Sequence, residues 1–364
     1  MESPCGKYNK IYQIQSMKIG ITLHPYGEKK PAGLGRAILE ITRSLLEADP
    51  KNEYTIFLKN FENPKHEEIS SRSNFRIAPM NRKTLREIDV CIFNTPILPL
   101  WYKARKSIVI AYDFAYWHFG KNYLLWLYHA YSLWRADHIV AISEATKRDL
   151  MKLFWIPEKK ITVIYLGYKK VCELPPQNVP GIPEKFFLFI GAIKERKNVF
   201  GIVRAFHQFT TRISTDHMLV IAGNGSGPYF EKIKAYVSKH GLSPRVLFLG
   251  QITDNNLSYL YQKAEALLYP SFIEGFGFPV LEAMHCKLPV ITSNAYSLPE
   301  LAGNAAVCVD PHDIGAVAYI MRIIVQNPAY REELVKKGHE QAQKFSWEKT
   351  AREYLAVISS ILNL

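Results

Sequence analysis

The chain has 364 residues, 48% of them hydrophobic and 22% charged, with a formal net charge of +13 and a pI near 9.3. That length exceeds the size at which one core stops growing and predicts two domains of roughly 150–200 residues, in a composition typical of a soluble globular enzyme. No run of about 18 uncharged apolar residues occurs, which excludes a transmembrane helix, and no basic-then-apolar N-terminus marks a secretory signal. The five cysteines (Cys5, Cys91, Cys172, Cys286, Cys308) are scattered, odd in number and without metal-ligand spacing. They predict reduced thiols in a cytoplasmic protein rather than a disulfide framework. The charge is uneven: residues 1–170 hold 27 Lys+Arg against 16 Asp+Glu, a net of +11. A basic half can face anionic lipid, nucleic acid or a phosphorylated substrate, or be an ordinary solvated surface.

Residues 1–16 are polar without periodicity and are expected to be a leader, with Met17 as an alternative start. Strand-type apolar runs follow at 17–23, 54–58, 90–93, 108–111 and 138–142. Residues 35–47 read as an amphipathic helix with Ala37, Ile38, Ile41, Leu45 and Leu46 on one face. Strands alternating with helical segments imply a parallel sheet covered on both sides. Residues 172–185 hold four prolines and one glycine, which suits a linker. The alternation restarts with strands at 186–190, 217–222, 246–248, 266–269 and 289–292. Helices are expected at 198–210, 228–240, 255–264, 279–286 and 347–362. The reading is α/β: one domain over 17–171, a second over 186–345, and a terminal helix within 346–364 packing back on the first.

The most informative segment is 271–286. It leaves an apolar strand, passes Gly275 and Gly277, and enters a helix at Pro279, where no amide hydrogen is needed. Free amides at that helix start, with the positive end of its dipole, are ready for a pyrophosphate. Glycines allow the backbone to approach a ligand closely. Glu274 and Glu282, eight apart, can address two parts of one ligand, such as a sugar ring and a ribose. A tight turn with two solvated acids is the plainer alternative.

The run Glu274-Gly-Phe-Gly-Phe-Pro-Val-Leu-Glu282 resembles the Glu-x7-Glu motif of retaining glycosyltransferases, most closely family 4, including its mannosyltransferase-like subgroup. Gly191-Ala-Ile-Lys-Glu-Arg196-Lys197-Asn198 resembles that family's Gly-x4-Arg-Lys-Asn element. Pro31-Ala-Gly33-Leu-Gly35-Arg36, Ser143-Glu144, Gly223-Asn-Gly225, Gly250-Gln-Ile252 and Ser297-Leu-Pro299-Glu300 match further elements in the right order. The resemblance implies a GT-B fold: two Rossmann-like doubly wound domains facing across a cleft.

It also implies roles. Arg196 and Lys197 would neutralise a nucleoside diphosphate, aided by amides of Gly275, Phe276, Gly277 and Phe278. Glu282 would accept the ribose hydroxyls, Glu274 would lie against the donor sugar, and the Ile252 loop would hold the base. Gly191 would open the donor loop, and Gly33 and Gly35 would approach the phosphates from the other domain. Ala192 stands where many relatives carry Arg, which leaves Arg196 to substitute. Retention of configuration and no metal requirement are implied, and the sequence has no Asp-x-Asp. No cofactor is expected beyond the nucleotide sugar as substrate, with GDP-mannose ahead of UDP-sugars. Tyr112 stands where relatives often show His. Asp113 and His118 are the remaining acceptor-side candidates, with a packed, hydrogen-bonded pair as the plainer reading.

Two aromatic stretches complete the analysis. Trp101, Tyr102, Lys103, Arg105 and Lys106 suit a membrane interface. Tyr123, Trp126 and Tyr128, at helical spacing, read as a buried helix face. Together these features predict an enzyme that extends a glycan, lipid-linked, for cell-surface polysaccharide, on the inner face of the membrane. A non-catalytic partner subunit of the same fold is the alternative. Nucleic acid is not expected as a partner, because charge is its only support.

Overall fold

The structure is a computed structural model that describes residues 16–23, 33–58, 74–102 and 104–363. Residues 1–15 of the expected leader lie outside the described residues, as do Pro31 and Lys103. The first half forms β1 (Lys18–Thr22), α1 (Gly33–Ala48), β2 (Glu53–Leu58), β3 (Phe75–Pro79), α2 (Arg82–Arg86), β4 (Val90–Phe93), β5 (Lys106–Ala111), α3 (Ala115–Gly120), α4 (Tyr123–Arg135), β6 (His138–Ala141), α5 (Glu144–Phe154) and β7 (Ile161–Val163). All its strand pairs are parallel, in the order β3-β2-β1-β4-β5-β6-β7. Parallel strands covered on both faces must be apolar on both faces. On β5, Ile108 and Ile110 pack into one core while Val109 and Ala111 pack into another on the opposite side.

The second half repeats the plan with β8 (Phe186–Ile190), α6 (Val199–Arg212), β9 (Met218–Ala222), α7 (Gly227–Lys239), β10 (Val246–Gly250), α8 (Asp254–Lys263), β11 (Ala266–Tyr269), α9 (Phe278–His285), β12 (Val290–Ser293), α10 (Leu298–Ala302), β13 (Val307–Val309), α11 (Ile314–Gln326), α12 (Pro328–Ala342) and α13 (Trp347–Leu362). Its parallel order is β10-β9-β8-β11-β12-β13. Both sheets therefore reverse their winding beside the first strand, between β1 and β4 and between β8 and β11. Such switch points leave a crevice at the strand ends where ligands bind.

Three short strands were not expected from the sequence. β3 is an edge strand with exposed Arg76, and β7 and β13 have three residues each. Runs that short carry no periodicity. Two other expectations are corrected. Cys172 and Cys286 form a disulfide, with Cα atoms 5.5 Å apart, a normal span for such a bond. The pair lies 114 residues apart, so only folding brings it together. The aromatic stretch on α4 is not a buried face: the helix buries only His129, Ser132 and Leu133, and Tyr123 and Tyr128 are exposed. In the 98–106 stretch, Leu100 and Trp101 are exposed but Tyr102 is buried, its hydroxyl donating to the Lys106 carbonyl.

The terminal helix α13 packs on α1, so the chain returns to its first domain. Thr350 donates to the Tyr165 carbonyl at 2.8 Å. Gly167 permits the approach: a Cβ there would meet the Trp347 backbone nitrogen at 2.3 Å. We expect Gly167→Ala to destabilise the protein by about 1–3 kcal/mol through overpacking. Gly120→Ala, where a Cβ meets nothing within 4 Å, should leave thermal unfolding nearly unchanged. Equal melting temperatures for the two variants would contradict the contact.

Candidate active site

The site grows from the switch point of the second sheet. After β8, the chain makes a tight turn over Glu195–Lys197. After β11, it runs through 270–277 into α9. Because β8 and β11 are hydrogen-bonded neighbours, their loops emerge side by side. Asn198 fastens the two together. Its backbone is left-handed at φ 54°, which Asn tolerates. Its amide donates to the carbonyls of Pro270 and Pro311 at 3.1 and 2.7 Å.

This juxtaposition buries Glu274 between two cations. Lys197 Nζ lies 2.6 Å from Glu274 Oε1, and Arg196 Nη1 lies 3.1 Å from Oε2. The buried Tyr269 hydroxyl also donates to Oε1, at 3.1 Å. Burial alone would push the Glu274 carboxyl up, but the ammonium and guanidinium overcome it and hold it below its ordinary range. Three of the four acceptor positions on this carboxylate are thus taken, and one on Oε2 remains for a ligand hydroxyl. Gly191 lies beside the Lys197 side chain with φ at 137°, a backbone angle that residues with a Cβ rarely adopt.

The two glycines of the turn serve packing. A Cβ on Gly275 would come within 2.4 Å of the Tyr112 carbonyl oxygen in the other domain. Gly277 has φ 112°, and a Cβ there would strike Leu298 at 2.7 Å. Ser297 clamps the turn by donating to the carbonyls of Glu274 and Phe276. Phe276 is buried, and Phe278 opens α9.

One turn further, Glu282 is buried and accepts from the Tyr261 hydroxyl at 3.1 Å. Burial pushes its carboxyl up to about 7, with the positive charge of Arg36 opposing. A cavity of about 350 Å³ beside it is lined by Arg36, Lys169, Phe278 and Trp347 among others. Arg36 reaches Asp254 at 3.2 Å and Lys169 reaches the same carboxylate at 2.6 Å, so Asp254 gathers two cations at this end. Ile252 is half-buried on the loop two residues before Asp254.

Across the cleft, Asp113 approaches from the end of β5. It accepts from the Ala115 amide at 3.1 Å, and the charges of Arg196 and Glu274 bear on it. Burial pushes its carboxyl up, against the pull of that amide and of Arg196. His118 does not join it. Its Nε2 lies 3.0 Å from Asp149, which also accepts from Tyr296. The expected Asp113–His118 pair is therefore replaced by two separate pairings, because α3 carries His118 round to α5. Glu300 makes a further crossing: its two oxygens accept from the Glu144 and Ala145 amides at 2.7 Å each, at the start of α5.

The structure thus gathers Glu274, Arg196, Lys197, Asp113, Gly191 and Gly275 into one centre. Glu282 forms a second with Phe278. Gly33 and Gly35 lie in the first turn of α1, next to Arg36. Tyr269, Lys169, Asp254 and the capping action of Glu300 were not singled out from sequence. Their partners are 5 to 218 residues away, and only the Arg-Lys-Asn and Glu-x7-Glu spacings carry a local signal. Among the described residues, no three His, Cys, Asp or Glu side chains converge as metal ligands.

Comparison with known proteins agrees with this architecture. Residues 33–169 match the model of Glycosyltransferase Family 4, and residues 173–341 match that of Glycosyl transferases group 1. O-antigen chain mannosyltransferase B of Escherichia coli is 31% identical over 225 residues, 60% of this chain and 59% of that protein. O-antigen chain mannosyltransferase RfbU of Salmonella typhimurium is 28% identical over 213 residues, 57% of this chain and 58% of that protein. The matched stretch spans less than two thirds of either relative. Among solved structures, Anabaena HepE in complex with UDP and glucose superposes with a TM-score of 0.73 at 17% identity, over 94% of this chain and 100% of that one. Sucrose-phosphate synthase of Thermosynechococcus elongatus gives 0.74 at 19%, over 95% and 99%. The fold is GT-B, and the chain belongs to glycosyltransferase family 4.

Two stability measurements follow from the buried charges. Lys197→Met leaves the buried Glu274 with Arg196 as its one close cation beside the Tyr269 hydroxyl and should cost about 3 kcal/mol. Lys197→Met combined with Glu274→Gln should recover part of that loss in thermal unfolding. Equal losses in the single and double variants would argue against the pairing. Glu282 binds its proton more tightly folded than unfolded, so its ionisation opposes folding. Its contribution should decline as pH rises from 4.5 to about 7 and then level off. Glu282→Gln, always neutral, should therefore gain stability relative to the parent across that window. A difference independent of pH would show that Glu282 ionises freely.

Proposed function

We propose that this family 4 chain is a retaining, metal-independent hexosyltransferase that uses a nucleoside-diphosphate sugar, GDP-mannose first and a UDP-sugar next. Its acceptor is a lipid-linked glycan in cell-surface polysaccharide synthesis, reached from the cytoplasmic face of the membrane. The observation that carries the reading is Glu274 held between Arg196 and Lys197 at the switch point, opposite Asp113. The mannosyltransferase relatives support mannose, and the HepE complex with UDP keeps a uridine donor second.

In this reading the diphosphate lies against Arg196, Lys197 and the first amides of α9. Fixed positive groups in a site that excludes water stabilise the charge that develops as the sugar–phosphate bond breaks. The free position on Glu274 Oε2 takes a donor-sugar hydroxyl. Glu282 accepts the ribose hydroxyls. The acceptor oxygen forms the new bond on the face the phosphate leaves, and its proton passes to the departing phosphate oxygen. Asp113 orients the acceptor hydroxyl. Catalysis is then positioning plus electrostatic stabilisation.

Thermal-shift screening against GDP, UDP and dTDP sugars tests the donor, since a ligand at about 100 times its Kd adds ~2.7 kcal/mol to stability. Turnover with the stabilising donor should survive EDTA. Arg196→Ala should lower turnover about 100-fold or more, the usual effect of losing one preorganised contact. Glu282→Ala should chiefly weaken nucleotide binding, and Glu274→Ala should chiefly lower turnover. Nucleotide binding without any turnover would instead indicate a non-catalytic partner subunit. Normal activity in Arg196→Ala would refute the clamp.

A further inference from the structure

Twelve large hydrophobic side chains stand exposed among the described residues, and eleven of them lie within residues 100–155. Only Tyr319 lies elsewhere, so the exposure is concentrated on one part of the first domain. The centre of that surface is α4, whose polarity is reversed. It turns His129 and Ser132 inward with Leu133, and leaves Leu124, Leu127, Tyr131 and Trp134 in solvent.

The exposed side chains are continuous. Arg135 donates to the Leu100 carbonyl at 3.4 Å and to the Tyr131 hydroxyl at 3.0 Å, with its guanidinium over the Tyr131 ring. Leu100, Leu124, Leu125, Leu127, Tyr128 and Tyr131 border a groove of about 630 Å³. At the far end, the exposed Trp155 ring packs edge-on to Trp126. The indole nitrogens of Trp126 and Trp134 donate inward, to the carbonyls of Leu153 and Phe154. The ring of Trp134 can therefore enter an apolar phase without stranding its N–H. Soluble monomers rarely expose contiguous apolar surface on this scale without a partner.

The charge around the surface identifies the partner. No Asp or Glu occurs from 114 to 136, and Lys121 and Arg135 flank the two ends of α4. Lys152 is also exposed nearby in the sequence, as is Arg105, which lies 3.8 Å from Asp89. The acids that border this stretch are engaged: Asp137 by Ser107 and Lys106, Asp149 by His118 and Tyr296, Glu158 by Lys147. Leucine with Trp and Tyr, beside the exposed Lys121, Arg135 and Lys152, matches the interface of an anionic bilayer. A second copy docked on the same face would oppose cations to cations.

We infer that the α4 face, with Leu100 and Trp155, is the surface by which this chain docks on an anionic membrane. The inference rests on the proposed lipid-linked acceptor and gives it a route. α3 starts two residues after Asp113 and leads directly to α4, so the acceptor-side candidate and the exposed helix are consecutive in the chain.

Co-sedimentation with phosphatidylcholine vesicles, with and without phosphatidylglycerol, tests it on the full chain. The parent should bind the anionic vesicles best, less so at high salt. Leu124→Ser, Leu127→Ser and Tyr131→Ser together should lower partitioning at least ~tenfold. Lys121→Glu with Lys152→Glu, a pair that leaves the apolar face intact, should lower it about tenfold or more on anionic vesicles only. Failure of the parent to bind anionic vesicles, or binding unchanged in both variants, would overturn the inference. So would a change of oligomeric state in the triple variant without vesicle binding by the parent, which would assign the face to a second copy. Stabilisation by a nucleoside diphosphate is measured in parallel without lipid. Its absence would sink the donor reading and leave the vesicle result to stand separately.

Discussion

A carboxylate taken out of water must be repaid by charges at short range, and Glu274 is repaid twice, by Lys197 and by Arg196. Much of the second domain serves to make that meeting close. β8 and β11 are neighbours, so the turn after one faces the loop after the other. Gly191 takes a positive backbone angle beside the lysine stem, and Asn198 takes a left-handed backbone to tie the loops. Ser297 fixes the carbonyls on either side of the glycine between Glu274 and Phe276. Each of these residues would be unremarkable alone. Together they hold two positive groups beside a negative one that cannot relax into solvent, and on the proposed function this is the preorganised field that an anionic leaving group requires.

The halves of the molecule share one apolar core cluster, and polar crossings add to it. Glu300 caps α5, Arg36 and Lys169 share Asp254, and Tyr296 reaches Asp149. Near the link, the disulfide fastens Cys172 to the end of α9, a few residues past Glu282. The link is thus joined covalently to the helix that carries the second glutamate.

Much of this was legible in the sequence for a physical reason. Buried parallel strands need unbroken apolar runs, so β5 and β8 announce themselves, and a ligand loop at a strand end needs its glycines and acids at fixed spacing, so the Glu274–Glu282 segment does too. What was not legible depends on contacts between distant residues. The spacing of aromatics on α4 shows that one side is apolar but not whether that side meets the core, and here it does not. Nothing local marks the role of Asp254, or the cap that Glu300 makes, until the other domain is placed against them. The cysteine pair has no local pattern, and the three-residue strands β7 and β13 are shorter than any period.

The return of α13 onto α1 means that the first domain is not one continuous piece of chain. Its last helix is encoded after the whole of the second domain. Shuffling with a homologue at the link alone would marry α1 to a foreign α13, with Gly167 facing a helix start it was not shaped for. A recombinant that keeps both cores native needs two junctions, one within 172–185 and another just before Trp347, so the second domain behaves as an insertion within the first.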